Sequence, residues 1–306
     1  MTHIFGPVPS RRLGFSLGVD VIPLKMCTYN CVYCQLGRTT QKTLRRAEYV
    51  AVEPVLQELQ RVLSLGQHID YITFSGSGEP TLNAKLGEMI RAVREMTSIP
   101  GAVLTNGSLL FEREVREALS AADLVVPSLD AVSEEAFQQV NRPHGRLKIE
   151  TILEGLKAFR KTFRGQLWLE IMFVKGINDA PEEIARMREA ISEIGPDKIQ
   201  LNTVVRPPAE TFARPLTPDE MAQIRDRLGA HAEVIATFQR KEQSAYKADV
   251  EEAVLTMIRR RPVTLSDISG ALGVHRNEVV QYLEALENDG KIASEIFGGE
   301  RYYRPA

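Results

Sequence analysis

Three cysteines lie close together near the start of the chain, and the sequence contains no others. Cys27, Cys31 and Cys34 fall within eight positions, in the spacing C-x3-C-x2-C. Iron–sulfur clusters are held by cysteine thiolates, and one short loop can supply three of them to a [4Fe–4S] cube. The fourth iron of such a cube has no protein ligand, so it can coordinate a small molecule, as a catalytic metal does at its open position.

Two other interpretations of the cysteines are open at this point. A zinc site needs a fourth ligand, usually His or Cys, but the nearest histidines in the sequence, His3 and His68, are not at ligand spacing. The second alternative is three buried cysteines without a metal, because free cysteine often packs as a small core residue.

The stretch Lys25-Met-Cys-Thr-Tyr-Asn-Cys-Val-Tyr-Cys, with the aromatic Tyr33 before its last cysteine, resembles the signature of the radical S-adenosylmethionine (SAM) enzymes. In that family, SAM chelates the open iron through its amino and carboxylate groups. The resemblance implies that Cys27, Cys31 and Cys34 bind one [4Fe–4S] cluster and that SAM binds beside it. Tyr33 could then stack against the adenine ring.

A second motif, Ser75-Gly-Ser-Gly-Glu-Pro80, follows the second predicted strand. Glycines allow a backbone to approach a ligand closely. The segment resembles the Gly-Gly-Glu motif of the same family, which binds the methionyl amino group of SAM. Gly76, Gly78 and Glu79 match that motif, whereas Ser77 replaces its usual glycine. A glycine loop alone would usually be an ordinary turn.

Polar residues also follow the later predicted strands, where function collects in parallel barrels. Aspartate can hold ribose hydroxyls by paired hydrogen bonds, and a carboxylate in the middle of a strand is costly unless it is paired. An Asn-Gly turn is the alternative explanation of Thr105-Asn106-Gly107. The resemblance implies further SAM or substrate contacts at Asn106, Ser128, Asp130, Glu170, Asn202 and Val204.

The composition indicates a globular chain. Its 306 residues are 43% hydrophobic, which is enough for one large domain with a smaller one attached. A net charge of −2 and a pI of about 6.3 predict no strong global attraction to nucleic acid. No run approaches the roughly 18 uncharged apolar residues of a membrane span, and the N-terminus lacks a signal sequence, so we expect a cytoplasmic protein.

Charge is uneven around the cysteines. Residues 1–48 contain seven lysines and arginines but only two acidic residues, Asp20 and Glu48. This basic stretch is either a solvated surface or a binding region for an anionic substrate or the SAM carboxylate.

Apolar runs beginning near Phe15, Tyr71, Ala102, Leu124, Leu167 and Lys198 alternate with helical patterns. Six strand-to-helix units predict an α/β fold with parallel strands and right-handed crossovers. Together with the cysteine motif they indicate a partial (β/α)6 TIM-like barrel over residues 1–237, and a doubly wound open sheet is the alternative. Thr217 is expected to begin a capping box, and Asn178 or Asp179 to cap a helix opening at Pro181.

The remaining residues predict a second unit. We expect a polar linker over 238–249 and then three helices and a hairpin over 250–306, with the turn at Gly298-Gly299, an arrangement that resembles a winged helix. This unit has seven basic and nine acidic residues, so its net charge is −2, and its third helix is acidic. An acidic helix is repelled by a duplex, which favours docking of a peptide or protein, or packing on the barrel, over DNA binding. RNA could still bind at the basic stretch 11–46.

These patterns predict an enzyme that cleaves SAM reductively and abstracts a hydrogen atom from a substrate, with a peptide, protein or RNA base favoured. An electron donor such as flavodoxin or ferredoxin is implied by the family. Phe5-Gly-Pro-Val-Pro-Ser and Cys-Val-Tyr-Cys-Gln-Leu-Gly resemble a group distantly related to the wyosine tRNA-base synthases, but this chain lacks the cysteines for their second cluster. The alternative is an iron–sulfur redox-sensing transcription regulator with a DNA-binding winged helix.

Overall fold

The computed structural model describes residues 3–10, 12–205, 208–235, 248–297 and 299–306. Its strands are β1 Ile4–Ser10, β2 Gly14–Val19, β3 Met26–Cys27, β4 Gln41–Lys42, β5 Tyr71–Phe74, β6 Gly101–Thr105, β7 Leu124–Pro127, β8 Gln166–Phe173, β9 Lys198–Thr203, β10 Ala232–Val234, β11 Val263–Thr264, β12 Ile292–Phe297 and β13 Glu300–Pro305.

Helices follow most of the long strands, as the alternating pattern predicts. They are α1 Val52–Leu63, α2 Leu86–Met96, α3 Arg113–Leu119, α4 Glu134–Val140, α5 Ile149–Thr162, α6 Pro181–Ile194, α7 Pro218–Leu228, α8 Ala248–Arg260, α9 Leu265–Leu272 and α10 Arg276–Asn288, with a 3₁₀ turn at Pro80–Leu82. None of the helices in these described segments is long and apolar enough to cross a membrane.

Within the described residues, the main sheet has eight strands in the order β1-β2-β5-β6-β7-β8-β9-β10. All neighbours are parallel except β1 and β2, which are antiparallel. Parallel neighbours need a crossover connection, and helices α1 to α7 supply it along the chain. The predicted α/β class is therefore confirmed.

Side chains alternate across the main sheet with the two-residue period of a strand. Leu17, Phe74 and Leu169 are fully buried and belong to the main apolar core, which also contains helix residues such as Leu59 and Met89. The other face of the sheet carries a small apolar cluster around Trp168, and the polar side chains Ser16, Thr73, Glu170 and Asn202 line one cavity together. Seven strands of the main sheet, β1, β2 and β5 to β9, share this cavity, so the sheet curves around it.

Strand β1 was not predicted. Pro7 and Pro9 interrupt its pattern, because proline has no backbone N–H to donate to a sheet. Such residues are tolerated at a sheet edge, and β1 is the edge strand of the main sheet. The short parallel strand β10 at the other edge was also missed.

The helix caps confirm one prediction and correct another. Thr217 and Glu220 form the predicted capping box at the start of α7. Helix α6 begins after Ala180 without a side-chain cap, so the predicted cap is wrong. Asn178 accepts a hydrogen bond from the backbone N–H of Val174 at 2.8 Å and so stabilises the turn before the helix.

The C-terminal residues form their own unit, in which α8, α9 and α10 precede the hairpin β12–β13. Strand β11 pairs with β13, and a separate apolar core includes Val254, Ile258 and Leu283. Most of the predicted linker 238–249 and Gly298 of the predicted hairpin turn lie outside the described residues, and α8 already begins at Ala248.

Candidate functional site

One cavity of about 380 Å³ lies within the curved sheet, in the size range of small-molecule sites. It collects residues from the carboxyl ends of the parallel strands and from the loops that follow them. Nearly all the predicted site residues line it: Cys27, Cys31, Tyr33, Cys34, Gly76, Gly78, Glu79, Asn106, Ser128, Glu170, Asn202 and Val204. Asp130 is not among its lining residues.

The three cysteines are free thiols that face the cavity with hydrogen-bond donors beside them. Asn106 Nδ2 lies 3.5 Å from Cys27 Sγ, and Asn141 Nδ2 lies 3.5 Å from Cys31 Sγ. Burial, with the nearby carboxylate of Glu79, raises the pKa of Cys27 to about 12. The thiols are therefore protonated at neutral pH, and a metal that binds them must displace protons.

The donor set fits an iron–sulfur cluster. It consists of sulfur ligands with N–H groups aimed at two of them, and such hydrogen bonds tune the potential of a cluster. Among the described residues, no three His, Cys, Asp or Glu side chains converge closely enough to hold a single metal ion. Cysteines that bind different irons of a cube do not have to meet at one ion.

The glycine loop lies directly against the cysteine loop. The N–H of Lys25 donates to the carbonyl of Ser77 at 2.6 Å, and the N–H of Glu79 donates to the carbonyl of Met26 at 3.1 Å. A Cβ on Gly78 would overlap the Met26 carbonyl oxygen, so only glycine permits this approach. The two predicted motifs therefore form one backbone unit.

Glu79 is 2% exposed, and its carboxylate accepts four hydrogen bonds. Two come from the N–H and hydroxyl of Thr81, one from the hydroxyl of Thr105 at 2.6 Å and one from the N–H of Asn106 at 2.7 Å. Burial raises the pKa of Glu79 although these donors favour its charged form. The carboxylate thus joins the glycine loop to the end of β6 and turns Asn106 toward Cys27.

Asp130 lies behind the cavity wall. Its carboxylate accepts hydrogen bonds from the Tyr33 hydroxyl, from Asn141 Nδ2 at 2.6 Å and from the N–H of Met172 at 2.9 Å. Burial raises the pKa of Asp130 to about 6. This geometry favours a role in holding Tyr33 and Asn141 beside Cys31 over the predicted direct contact with ribose.

An ion pair inside the cavity joins two elements that are distant in sequence. Both terminal nitrogens of Arg12 lie 2.7 Å from oxygens of Glu170, and Asn202 Nδ2 lies 3.3 Å from one of them. The pairing that Glu170 was expected to need is therefore present. Arg12 was noted only as part of a basic stretch, because nothing in the sequence links it to a residue 158 positions later.

Several other residues of the basic stretch have internal partners. Arg38 and Arg142 share the carboxylate of Glu210, at 3.0 and 2.6 Å, and Lys42 donates to the carbonyls of residues 142 and 143. Lys25 lines the cavity, and burial lowers its pKa while the nearby Cys34 opposes that shift. Part of the positive charge around the cysteines is thus used to order the loop.

Two lining residues come from the C-terminal unit. Asn277 and Gln281, which lie one helical turn apart on α10, face the cavity together with the cysteine loop. Sequence reasoning missed them, because it considered the charge of this helix and not its neutral amides.

The site is a cysteine-lined cavity at the carboxyl ends of the parallel strands of an α/β protein, the place where functional sites collect in such folds. A model of the Radical SAM superfamily matches residues 21–188, and the chain belongs to that superfamily and, within it, to the UPF0026 family.

The second assignment rests on a UPF0026 protein of Methanocaldococcus jannaschii. It is 36% identical over 310 residues, which cover 99% of this chain and 96% of that protein. A longer protein of Brachyspira hyodysenteriae, named GTPase Obg, is 37% identical over 304 residues. That match covers 98% of this chain but only 45% of the relative, so the name describes a protein of which this chain spans less than half.

A solved structure extends the comparison to the fold. Streptococcus suis SuiB, bound to S-adenosylmethionine, is similar over 75% of this chain and 52% of its own, with a TM-score of 0.54 and 14% identity. The mostly parallel sheet therefore matches the partial barrels of radical SAM proteins and not a doubly wound sheet.

Proposed function

We propose that this protein is an enzyme that binds one [4Fe–4S] cluster through Cys27, Cys31 and Cys34 and cleaves SAM reductively. The observation that carries the proposal is the joining of the cysteine loop and the Gly76–Glu79 loop into one wall of a cavity. When bound, the cluster and SAM supply a 5′-deoxyadenosyl radical that abstracts a hydrogen atom from the substrate.

The residues of the chain would bind and orient the cofactor. Gly76 and Gly78 offer backbone close to the methionyl end of SAM, while Ser128, Asn202 and Val204 line the part of the cavity proposed for ribose and adenine. Glu79 and Asp130 act indirectly, because their carboxylates already accept hydrogen bonds from neighbouring loops. Arg12 and Glu170 form an ion pair in the cavity wall, so together they offer the ligand polar groups without net charge.

The family assignment does not identify the substrate. A peptide, a protein or an RNA base is proposed as the substrate, and a flavodoxin or ferredoxin as the electron donor. The unit beginning at residue 250 resembles a winged helix, and its net charge of −2 argues against a duplex DNA partner. The proposed site of action is the cytoplasm, where free cysteines stay reduced.

The relatives named above give no support to a redox-sensing regulator. A sensor needs only a small cluster-binding loop, whereas this chain surrounds its cysteines with a cavity to which seven strands of the main sheet contribute. The resemblance to the wyosine group stays a prediction.

Anaerobic reconstitution with iron and sulfide tests the proposal. We expect about four irons per chain, a spectrum of the reduced cluster that changes when SAM is added, and 5′-deoxyadenosine with methionine after reduction by dithionite. C27A, C31A and C34A should each lose these properties, whereas T40A, in the same loop but exposed, should keep them. Zinc uptake without iron, or an intact cluster that never cleaves SAM, would refute the proposal.

A further inference from the structure

A continuous chain of contacts connects the C-terminal unit to the glycine loop. His275, immediately before α10, stacks on Phe5 of β1 with ring centroids 4.4 Å apart and planes 12° from parallel. Its Nε2 lies 3.0 Å from Oδ2 of Asp20, and the hydroxyl of Ser77 donates to that same oxygen. His275 therefore reaches the loop between Gly76 and Glu79 through one carboxylate.

The hydrogen bonds determine which nitrogen of His275 carries the proton. Nδ1 accepts from the N–H of Asn277 at 3.2 Å, as the cap of helix α10. A neutral imidazole has one donor and one acceptor nitrogen, so the proton is on Nε2. His275 thus donates to Asp20, and the bond to the carboxylate is charge-assisted.

The carboxylate of Asp20 accepts hydrogen bonds at both of its oxygens. Besides the bonds from His275 and the Ser77 hydroxyl, its second oxygen accepts from the N–H groups of Ser77 at 3.2 Å and Ile22 at 3.3 Å. Gly76 has a φ of +142°, and a Cβ there would lie 2.5 Å from the Asp20 carboxylate. The carboxylate therefore supports the glycine loop from directly beneath.

Phe5 of β1 packs against one face of the His275 ring. The ring of Phe5 lies over Gly18 of β2, where any Cβ would overlap the ring. The side chains of His275 and Asp20 are 10% and 7% exposed, so little water reaches their hydrogen bond. A buried hydrogen bond to a charged group contributes more to stability than an exposed one.

The loop that this chain holds is part of the cavity wall. Gly76, Ser77 and Gly78 line the cavity, and the Ser77 carbonyl accepts from Lys25 in the cysteine loop. Asn277, whose N–H bonds to His275, lines the same cavity. The placement of the C-terminal unit and the conformation of the glycine loop are therefore coupled.

We propose that His275 and Asp20 are positioning residues, through which docking of the C-terminal unit holds the Ser77 loop in the conformation that binds SAM. This inference rests on the proposed function, because it requires SAM in this cavity. Ser77 is the position at which the chain departs from the Gly-Gly-Glu motif, and its hydroxyl makes the link. A glycine at this position would keep the backbone N–H bond to Asp20 but would lose the hydroxyl bond to the oxygen that His275 also contacts.

The test compares His275→Ala, His275→Gln and His68→Ala in the full chain. Glutamine can place an amide donor near the position of Nε2, and His68 is an exposed histidine paired with Asp70, away from the cavity. We expect H275A to weaken SAM binding by about tenfold, the loss typical of one buried hydrogen bond to a charged group. H275Q should recover most of that loss, and H68A should bind SAM like the wild type.

Amide hydrogen exchange of residues 75–80, measured without cluster or SAM, gives a readout independent of activity. Exchange should be faster in H275A than in the wild type and close to the wild type in H275Q. In a Ser77→Gly background, His275→Ala should have a smaller effect on exchange and SAM affinity than in the wild type, because the connecting hydroxyl is gone and only the backbone N–H of residue 77 still bonds to Asp20.

The outcomes separate the two proposals. Wild-type exchange and unchanged SAM affinity in H275A would overturn this inference alone, as would additive effects of S77G and H275A. Failure of the wild-type protein to take up iron and bind SAM would instead overturn the proposed function. Circular dichroism of each variant checks that the helices are retained, and faster exchange in H275A throughout the chain, not only in the loop, would also count against the inference.

Discussion

The carboxylates in the cavity and behind its wall are paired with a cation or accept several hydrogen bonds from their neighbours. Glu170 is held by both terminal nitrogens of Arg12, Glu79 accepts four hydrogen bonds and Asp130 accepts three. Several of these bonds link residues that are far apart in sequence. An unpaired buried charge costs several kcal/mol. Removing any of these partners should therefore destabilise the fold, and each carboxylate in turn fixes the position of the groups that bond to it.

The ion pair in the cavity gives the first prediction. Arg12→Ala should lower the free energy of unfolding by about 3 kcal/mol, because it leaves Glu170 without its guanidinium partner in a site where both side chains are less than one-fifth exposed. Urea unfolding measures this loss. The control is R225A, whose partner Asp226 is exposed and whose loss should cost less than about 1 kcal/mol.

The double variant R12L/E170L separates charge from packing. It should recover much of the stability lost in R12A, since replacing both partners of a buried pair by apolar residues is often close to neutral. Equal losses in R12A and R225A would contradict the argument that burial makes the first pair costly to break.

Glu79 gives the second prediction. Glu79→Gln should lower the free energy of unfolding by about 2 kcal/mol, because one of the two accepting oxygens becomes an NH₂ donor. The amide oxygen can keep the bonds from Thr81 and Thr105, but the NH₂ then faces the N–H of Asn106 and cannot accept its bond. The same variant should bind iron less completely, since Asn106 is no longer held beside Cys27. E48Q, an exposed glutamate, is the matched control. An E79Q variant as stable as E48Q would show that the four bonds contribute little.

At the scale of elements, the effect of replacing a glycine depends on the atoms that surround the position of the added Cβ. Gly18 in β2 is covered by the ring of Phe5, whereas Gly270 in α9 has open space where a Cβ would be. The same substitution is therefore expected to have opposite effects at the two positions.

Gly18→Ala should destabilise the protein by about 2 kcal/mol, the usual range for overpacking a filled site. The added methyl group would displace the Phe5 ring and with it the stack on His275. Thermal unfolding measures the loss, and hydrogen exchange of β1 would show where it acts. Retention of wild-type stability would mean that the β1–β2 pair can adjust without cost.

Gly270→Ala should stabilise the C-terminal unit by about 0.5–1 kcal/mol, because alanine restricts the unfolded chain and favours the helix. Gly270 lies inside α9 and is exposed, so no contact is disturbed. The effect should appear in the unfolding of the C-terminal unit monitored by circular dichroism. Destabilisation at this position would contradict the open space seen above it.

The sequence predicted those elements whose signal is local. The six apolar runs, the capping box at Thr217 and the hairpin at Ile292 all depend on residues a few positions apart, and each occurs in the structure. Strand β1 was missed because it contains two prolines, which are disfavoured in strands except at the edge of a sheet. The sequence alone does not show that this strand is at an edge. Asn178 was misassigned because its side chain bonds to the preceding turn and not to the helix.

The site was predictable to the same extent. Cysteine and glycine spacing located the two loops, because both motifs are contiguous in sequence. The direction in which a loop side chain points depends on partners that are distant in sequence. Asp130 was therefore expected in the cavity, although its bonds to Tyr33 and Met172 hold it behind the cavity wall. Long-range partners such as Arg12 with Glu170 were equally invisible.

At the scale of the whole molecule, the two units of the described residues have separate apolar cores. The barrel contains a large cluster and a small one around Trp168, the C-terminal unit has a cluster of its own, and polar contacts such as Arg301 to the Pro208 carbonyl at 2.7 Å join the two units. A unit with so small a core is marginally stable by itself. The two units should therefore not unfold as one.

The only tryptophan provides a direct measurement. Trp168 lies in β8, so its fluorescence reports on the barrel, whereas far-ultraviolet circular dichroism reports on helices of both units. In urea, ellipticity should begin to fall before the tryptophan emission shifts, and H275A should widen the gap between the two midpoints. Superimposable curves for the wild type and H275A would indicate a single cooperative unit.

The link from Asp20 to His275 spans 255 positions of the chain. Translation proceeds from the N-terminus, so a nascent polypeptide displays its cysteine loop long before the ribosome reaches the histidine that braces the neighbouring loop. During that interval, the thiols are present while the adjoining glycine loop still lacks its last support. Synthesis of the histidine then fixes that loop, so a translation product truncated before it would carry the thiols without the fully braced glycine loop.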